Sequence, residues 1–154
     1  MDVTMNWMGK MSFEGMGESG VVQKIDADTS VGGENGAPRP MELLAMGLAG
    51  CTGMDVISIL QKKQQPVVGF QVNLRAERAE EHPKVFTQAV IEYLVIGRGV
   101  NEAALLRSIE LSAERYCPAQ AMLGKAFPMR LIYKILDEES KVVLREGEYV
   151  QKSK

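Results

Sequence analysis

Two thiols are the residues in this chain best suited to chemistry: Cys51, in the run AGCTG, and Cys117, in RYCPA. With His82 as the single histidine, they are too few for a disulfide scaffold or a structural zinc site, so no metal is expected. In a reducing compartment two cysteines are either small buried hydrophobes or a working redox pair. A free thiol titrates at about 8.5, so little of it is thiolate near neutrality, and burial raises that value further. Cys117 precedes Pro118, which suits the first position of a helix, and a helix N-terminus favours thiolate. Local physics therefore selects Cys117 as the more reactive sulfur. Cys51 lies in an apolar helical stretch and needs a donor or a positive charge to react.

Three charged residues are the supporting candidates. Arg39 lies roughly three helical turns before Cys51, so it reaches a site only through the tertiary fold or from a second subunit. Glu42 falls in the first helical turn, where an acidic side chain is favoured whether or not it does chemistry. Asp55 is four residues after Cys51 and so its neighbour on a helix surface. As an anion it would raise the thiol's pKa, and the plainer reading is an aspartate bonded to backbone or solvent. His82, Arg75 and Arg78 read as solvated surface residues. The ten methionines, Met41, Met46 and Met54 among them, read as flexible core filling or as the lining of an oily pocket.

The elements that must position these residues follow from pattern. Val3–Trp7, MSFEG and Val21–Ala27 read as short strands of an antiparallel meander, with Gly9-Lys10 able to turn the chain. VGGENGAPRP is a loop ending in Pro40, which suits the first turn of a helix. From Met41 to about Gln65 the pattern is helical but apolar nearly all round, as in a helix buried on every side. Gly47, Gly50 and Gly53 each cost about 1 kcal/mol in a helix interior, so close packing by another backbone is expected there. Phe70–Glu77 alternates as a half-buried strand, and Val85–Ile96 forms a second strand of a long hairpin. Asn101 caps a helix over Glu102–Tyr116, with Leu105, Leu106, Ile109, Ala113 and Tyr116 on one face. A short helix follows Pro118, then a last strand from Met129 to Ile135. The reading is α+β, a mainly antiparallel sheet with a buried central helix, as one domain over 1–137. Residues 138–154 form a charged tail, expected to be mobile or to dress the surface.

Composition excludes several classes. The net charge is −2, so there is no basic excess for nucleic acid. The longest uncharged run, Leu43–Met54, is too short for a membrane span and is closed by Asp55. MDVTMNW carries no positive leader region, so a cytoplasmic protein is expected.

Pro40-Met41-Glu42-Leu43-Leu44, continuing through AMGLAG to Cys51, resembles the family of osmotically inducible protein C and the organic hydroperoxide resistance proteins (OsmC/Ohr). Tyr116-Cys117-Pro118 is the second match, 66 residues after the first cysteine. The order of elements agrees from about Val3 to Leu136. The resemblance implies an intertwined homodimer with two sites at the subunit interface, reducing small lipophilic hydroperoxides. It implies that Cys51 attacks, passes through a sulfenic acid and forms a disulfide with Cys117. An external dithiol, often lipoyl-based in the family, then restores both thiols. Family peroxidases carry glutamate directly after the motif proline, where this chain has Met41, with Glu42 one residue later. They also place an arginine in the N-terminal part, whereas here none precedes Arg39. The chain therefore looks closer to a less characterised branch, and its alternative role is to bind a small apolar ligand without turnover.

Overall fold

The computed structural model describes residues 1–150, in two compact units that divide between Met46 and Gly47. The N-terminal unit is the expected meander: β1 (Thr4–Gly9), β2 (Ser12–Met16) and β3 (Val22–Ile25), paired antiparallel in that order. Gly9 and Lys10 both have positive φ, 103° and 49°, which matches the twist of a tight hairpin. The loop after β3 is built around Asp26. Its carboxylate accepts from the backbone N–H groups of Ala27, Glu34 and Gly36 at 2.8, 3.0 and 2.9 Å. Gly33 is required there, because a Cβ would fall 2.0 Å from the Ala27 carbonyl oxygen.

The boundary between the units falls inside α1 (Pro40–Lys62). As a whole, α1 is long and apolar enough to cross a membrane by length and composition, which the count from Leu43 to Met54 had missed. Its packing differs from the all-round burial expected. Leu48, Thr52, Gly53, Val56 and Leu60 form a single buried stripe. Leu44, Met46 and Met54 are exposed, so the last two fill no core in this chain. The close approach of another backbone expected at the three helix glycines is not found: a Cβ at Gly53 would lie 3.0 Å from a side-chain atom, Val72 Cγ2, and Gly47 and Gly50 have nothing within 4 Å.

The second unit carries a four-stranded sheet in sequence order: β4 (Gly69–Arg78), β5 (Phe86–Ile96), β6 (Met129–Leu136) and β7 (Val143–Tyr149). β4 and β5 form the long hairpin, with Val72 opposite Tyr93. β5 and β6 run parallel, with Tyr93 opposite Tyr133, and such a pair needs a crossover. The crossover holds α2 (Glu102–Leu111), a single π turn (Ser112–Tyr116) and α3 (Pro118–Leu123). Asn101 caps α2 as expected, its side chain accepting from Ala104 N–H at 3.0 Å. The α-helical pattern read through to Tyr116 ends at Leu111. The wider turn that follows rotates Tyr116 off the buried face, leaving it 51% exposed. Leu48, Val56 and Leu60 from α1, Ile91 and Val95 from β5, and Leu105 and Ile109 from α2 make the core.

The charged segment after Asp137 is not simply a loose tail. Through Tyr149 it forms β7, paired antiparallel with β6 and pinned by a two-bonded Arg130–Glu148 ion pair. Alternating charge on an exposed edge strand reads in sequence like unstructured surface. The last four residues of the expected tail lie outside the described residues.

Candidate active site

Cys51 stands one residue before the buried Thr52 on α1, and Cys117 stands at the junction of the π turn and α3. The wider turn matters because the Cys117 N–H reaches the carbonyl of Ser112, five residues back, at 2.9 Å. Cys117 then takes the N-cap position of α3, its sulfur accepting from Gln120 N–H at 3.4 Å. This geometry brings the two sulfurs within 3.1 Å, with the Cys117 S–H donating toward Cys51. Both are free thiols. Closing a disulfide at about 2.05 Å needs about 1 Å of movement.

The two thiols differ in setting. Cys117 is 2% exposed, and Cys51 is partly open. Burial pushes the Cys117 thiol up to about 11; the Gln120 N–H opposes the rise, and the Cys51 sulfur adds to it. Cys117 is therefore a protonated donor at neutral pH. The local argument that favoured it as the reactive thiolate is overturned, because desolvation outweighs the end of a six-residue helix.

A cluster of buried hydroxyls adjoins the sulfurs, and sequence reading did not single it out. Thr52 Oγ1 lies 2.6 Å from Tyr93 Oη and 3.0 Å from Ser112 Oγ, and accepts from Gln120 Nε2 at 2.6 Å. Ser112 Oγ donates to Asp55 Oδ2 at 3.1 Å. Hydrogen counting fixes the remaining directions. With the Ser112 proton committed to the carboxylate, Thr52 donates to Ser112 and Tyr93 donates to Thr52. Burial pushes the Tyr93 phenol up to about 12, so it keeps the proton this chain requires. The only sequence signal was polar side chains at positions that pattern places in the core.

The supporting candidates separate. Asp55 does belong to the site, through Ser112 rather than through backbone. It lines an open cleft of about 500 Å³ with Ser58, Ile59, Lys62, Leu111 and Tyr116. Arg39 and Glu42 are engaged within the N-terminal unit. The Arg39 guanidinium pairs with Asp28 and bonds Asn35 Oδ1 at 2.9 Å. Glu42 accepts from the Arg39 backbone N–H at 2.9 Å, the back-reach of a helix-capping carboxylate, and its other oxygen lies 3.6 Å from Arg39 Nη1. Glu42 thus has the first-turn role, and Met41 has no carboxylate to offer. Arg75, Arg78 and His82 are exposed, as expected.

Residues 33–131 match the family described as OsmC-like protein. Protein YhfA of Escherichia coli K12 is 39% identical over 136 residues, covering 88% of this chain and 98% of that one. The crystal structure of a hypothetical protein from Aquifex aeolicus VF5 superposes with a TM-score of 0.78 at 30% identity, over 90% of this chain and 97% of that one. An organic hydroperoxide resistance protein OsmC from Legionella pneumophila shares the fold, at a TM-score of 0.64 and 15% identity, over 87% and 94% of the two chains.

Proposed function

The chain belongs to the OsmC-like family, and on that premise we propose that it is a thiol-dependent peroxidase for small lipophilic organic hydroperoxides. The observation that carries the proposal is the 3.1 Å approach of a protonated, buried Cys117 to a more accessible Cys51. The Cys51 thiolate gives an electron pair to the terminal peroxide oxygen. The O–O bond breaks, the alkoxide leaves and takes a proton to become the alcohol, and Cys51 is left as a sulfenic acid. The Cys117 sulfur then attacks Cys51, hydroxide leaves with the Cys117 proton as water, and the disulfide forms. An external dithiol reduces it by exchange. Membership of the OsmC-like family, whose fold organic hydroperoxide resistance proteins share, supports the reaction class.

The same reading makes the protein a cytoplasmic homodimer. Support for the homodimer comes from the second unit's part of α1, where Gly50 and Met54, four residues apart, are exposed in one chain. The test is one equivalent of cumene hydroperoxide followed by peptide mass spectrometry. A loss of two hydrogens, located on a linked pair containing Cys51 and Cys117, is expected, and Cys51→Ser abolishes turnover. Unchanged turnover in that variant defeats the mechanism.

A second reading rests on a specific departure. Met41 replaces the family's glutamate, and Arg39 is already held by Asp28 and Asn35. A binding protein for a small apolar ligand would need neither group at the sulfur. Native mass spectrometry showing a retained ligand, with both thiols inert to peroxide, selects this reading.

A further inference from the structure

Cys117 is held from both sides, and both holds converge on one hydroxyl. On its N-terminal side, Ser112 accepts the Cys117 backbone N–H at 2.9 Å and places its own Oγ 3.0 Å from Thr52. On its C-terminal side, Gln120 gives its backbone N–H to the Cys117 sulfur and its amide Nε2 to Thr52 Oγ1, at 3.4 and 2.6 Å. Thr52 is bonded directly to Cys51. Its hydroxyl accepts from Gln120 and Tyr93 and donates to Ser112, so its capacity is full and its rotamer is fixed. A helix as short as α3 has little stability of its own, so its place depends on such ties. Gln120 is 6% exposed, and no surface duty explains a buried amide at that position.

We propose that Gln120, acting through Thr52, is a positioning residue that holds the Cys117 sulfur against Cys51 and sets how readily the disulfide closes. The inference deepens the thiol-peroxidase reading. In the resolving step a sulfenic acid and a thiol give a disulfide and water. Gln120 takes part in no bond that is made or broken. Its effect is to keep the effective concentration of one thiol at the other high.

The experiment measures the dithiol–disulfide equilibrium against glutathione at pH 7, without peroxide, for the wild type, Gln120→Leu, Thr52→Val and Thr52→Ser. Each variant is checked for fold by circular dichroism. Gln120→Leu and Thr52→Val are expected to lower the effective concentration about tenfold, the loss of one buried hydrogen bond. Thr52→Ser keeps the hydroxyl and is expected to stay within about threefold of wild type. A folded Gln120→Leu protein with wild-type equilibrium overturns the proposal, and so does a Thr52→Ser protein that falls as far as Thr52→Val. Should Thr52→Val fail to fold, Gln120→Leu decides alone. A parallel readout is the fraction of Cys51 driven to sulfinic acid by excess cumene hydroperoxide, expected to rise in the two apolar variants. A wild type that closes its disulfide with glutathione but ignores hydroperoxide defeats the peroxidase reading and leaves the positioning role standing.

Discussion

Replacing Gly50 by alanine tests whether the open face of α1 is truly open. A glycine inside a helix costs about 1 kcal/mol against alanine. A Cβ at Gly47 or Gly50 meets nothing within 4 Å in this chain. For an isolated chain the arithmetic is therefore simple: each alanine stabilises by about 1 kcal/mol. Gly53 is the internal control, since its Cβ would lie 3.0 Å from Val72 Cγ2, and the helix gain there is offset by crowding. The dimer reading reverses the sign at Gly50. Met54, 72% exposed in one chain, gains about 1–2 kcal/mol if a partner covers the rest. A partner backbone resting on Gly50 leaves no room for a methyl group. Gly50→Ala is then expected to weaken association at least about tenfold, or about 1.4 kcal/mol. The assay is sedimentation equilibrium beside thermal unfolding over three decades of protein concentration. Wild type should melt higher as concentration rises, and Gly50→Ala should lose that dependence first. If Gly47→Ala and Gly50→Ala both raise the midpoint equally at every concentration, the face is solvent-exposed and a dimer built on it is refuted.

Other expectations follow from single groups. Cys117 is raised in the folded state to about 11, so its contribution is complete below the ordinary thiol range and is lost as pH climbs from that range to about 11, where only the unfolded thiol ionises. Denaturant titrations in that window should show wild type losing roughly 2 kcal/mol more than Cys117→Ala; parallel curves would contradict the burial argument. Asp26 is lowered, chiefly by backbone N–H donors, so it stabilises above the ordinary carboxylate range and ceases to as pH falls through its folded value. Asp26→Asn should therefore be less stable at pH 7 and respond less to acid, read as unfolding midpoints from pH 7 to 3. Tyr93→Phe removes the donor that feeds Thr52 and should cost about 1–2 kcal/mol in urea unfolding. A cost below about 0.5 kcal/mol would mean the hydroxyl chain is not fixed as counted.

Much of the scaffold was legible because it is encoded locally. Gly9-Lys10, Pro40, Asn101 and Pro118 each mark an element end, through φ preference, a missing N–H or, at Asn101, a capping side chain, and the structure uses them that way. The β4–β5 hairpin follows from alternation alone. The two thiols were legible as a pair, but the difference in their burial was not. The reactivity order turns on desolvation of Cys117, which depends on every element packed around it. The π turn left no mark, since SAERY continues a helical pattern and only the Cys117 to Ser112 bond reveals the added residue. Thr52, Tyr93, Ser112 and Gln120 come from four separate segments, so no spacing rule gathers them. The exposed half of α1 was misread for a related reason: a sequence apolar on every side does not say which of its faces the chain's own core covers.

The parallel pairing of β5 with β6 imposes an order in time. Antiparallel neighbours zip from a short turn, whereas this crossover closes only after some thirty intervening residues have been made and folded. During synthesis Cys51 emerges well before Cys117. For that interval the nascent chain carries Cys51 with no second sulfur beside it. The close pairing of the two sulfurs is available only to a chain in which that crossover has been completed.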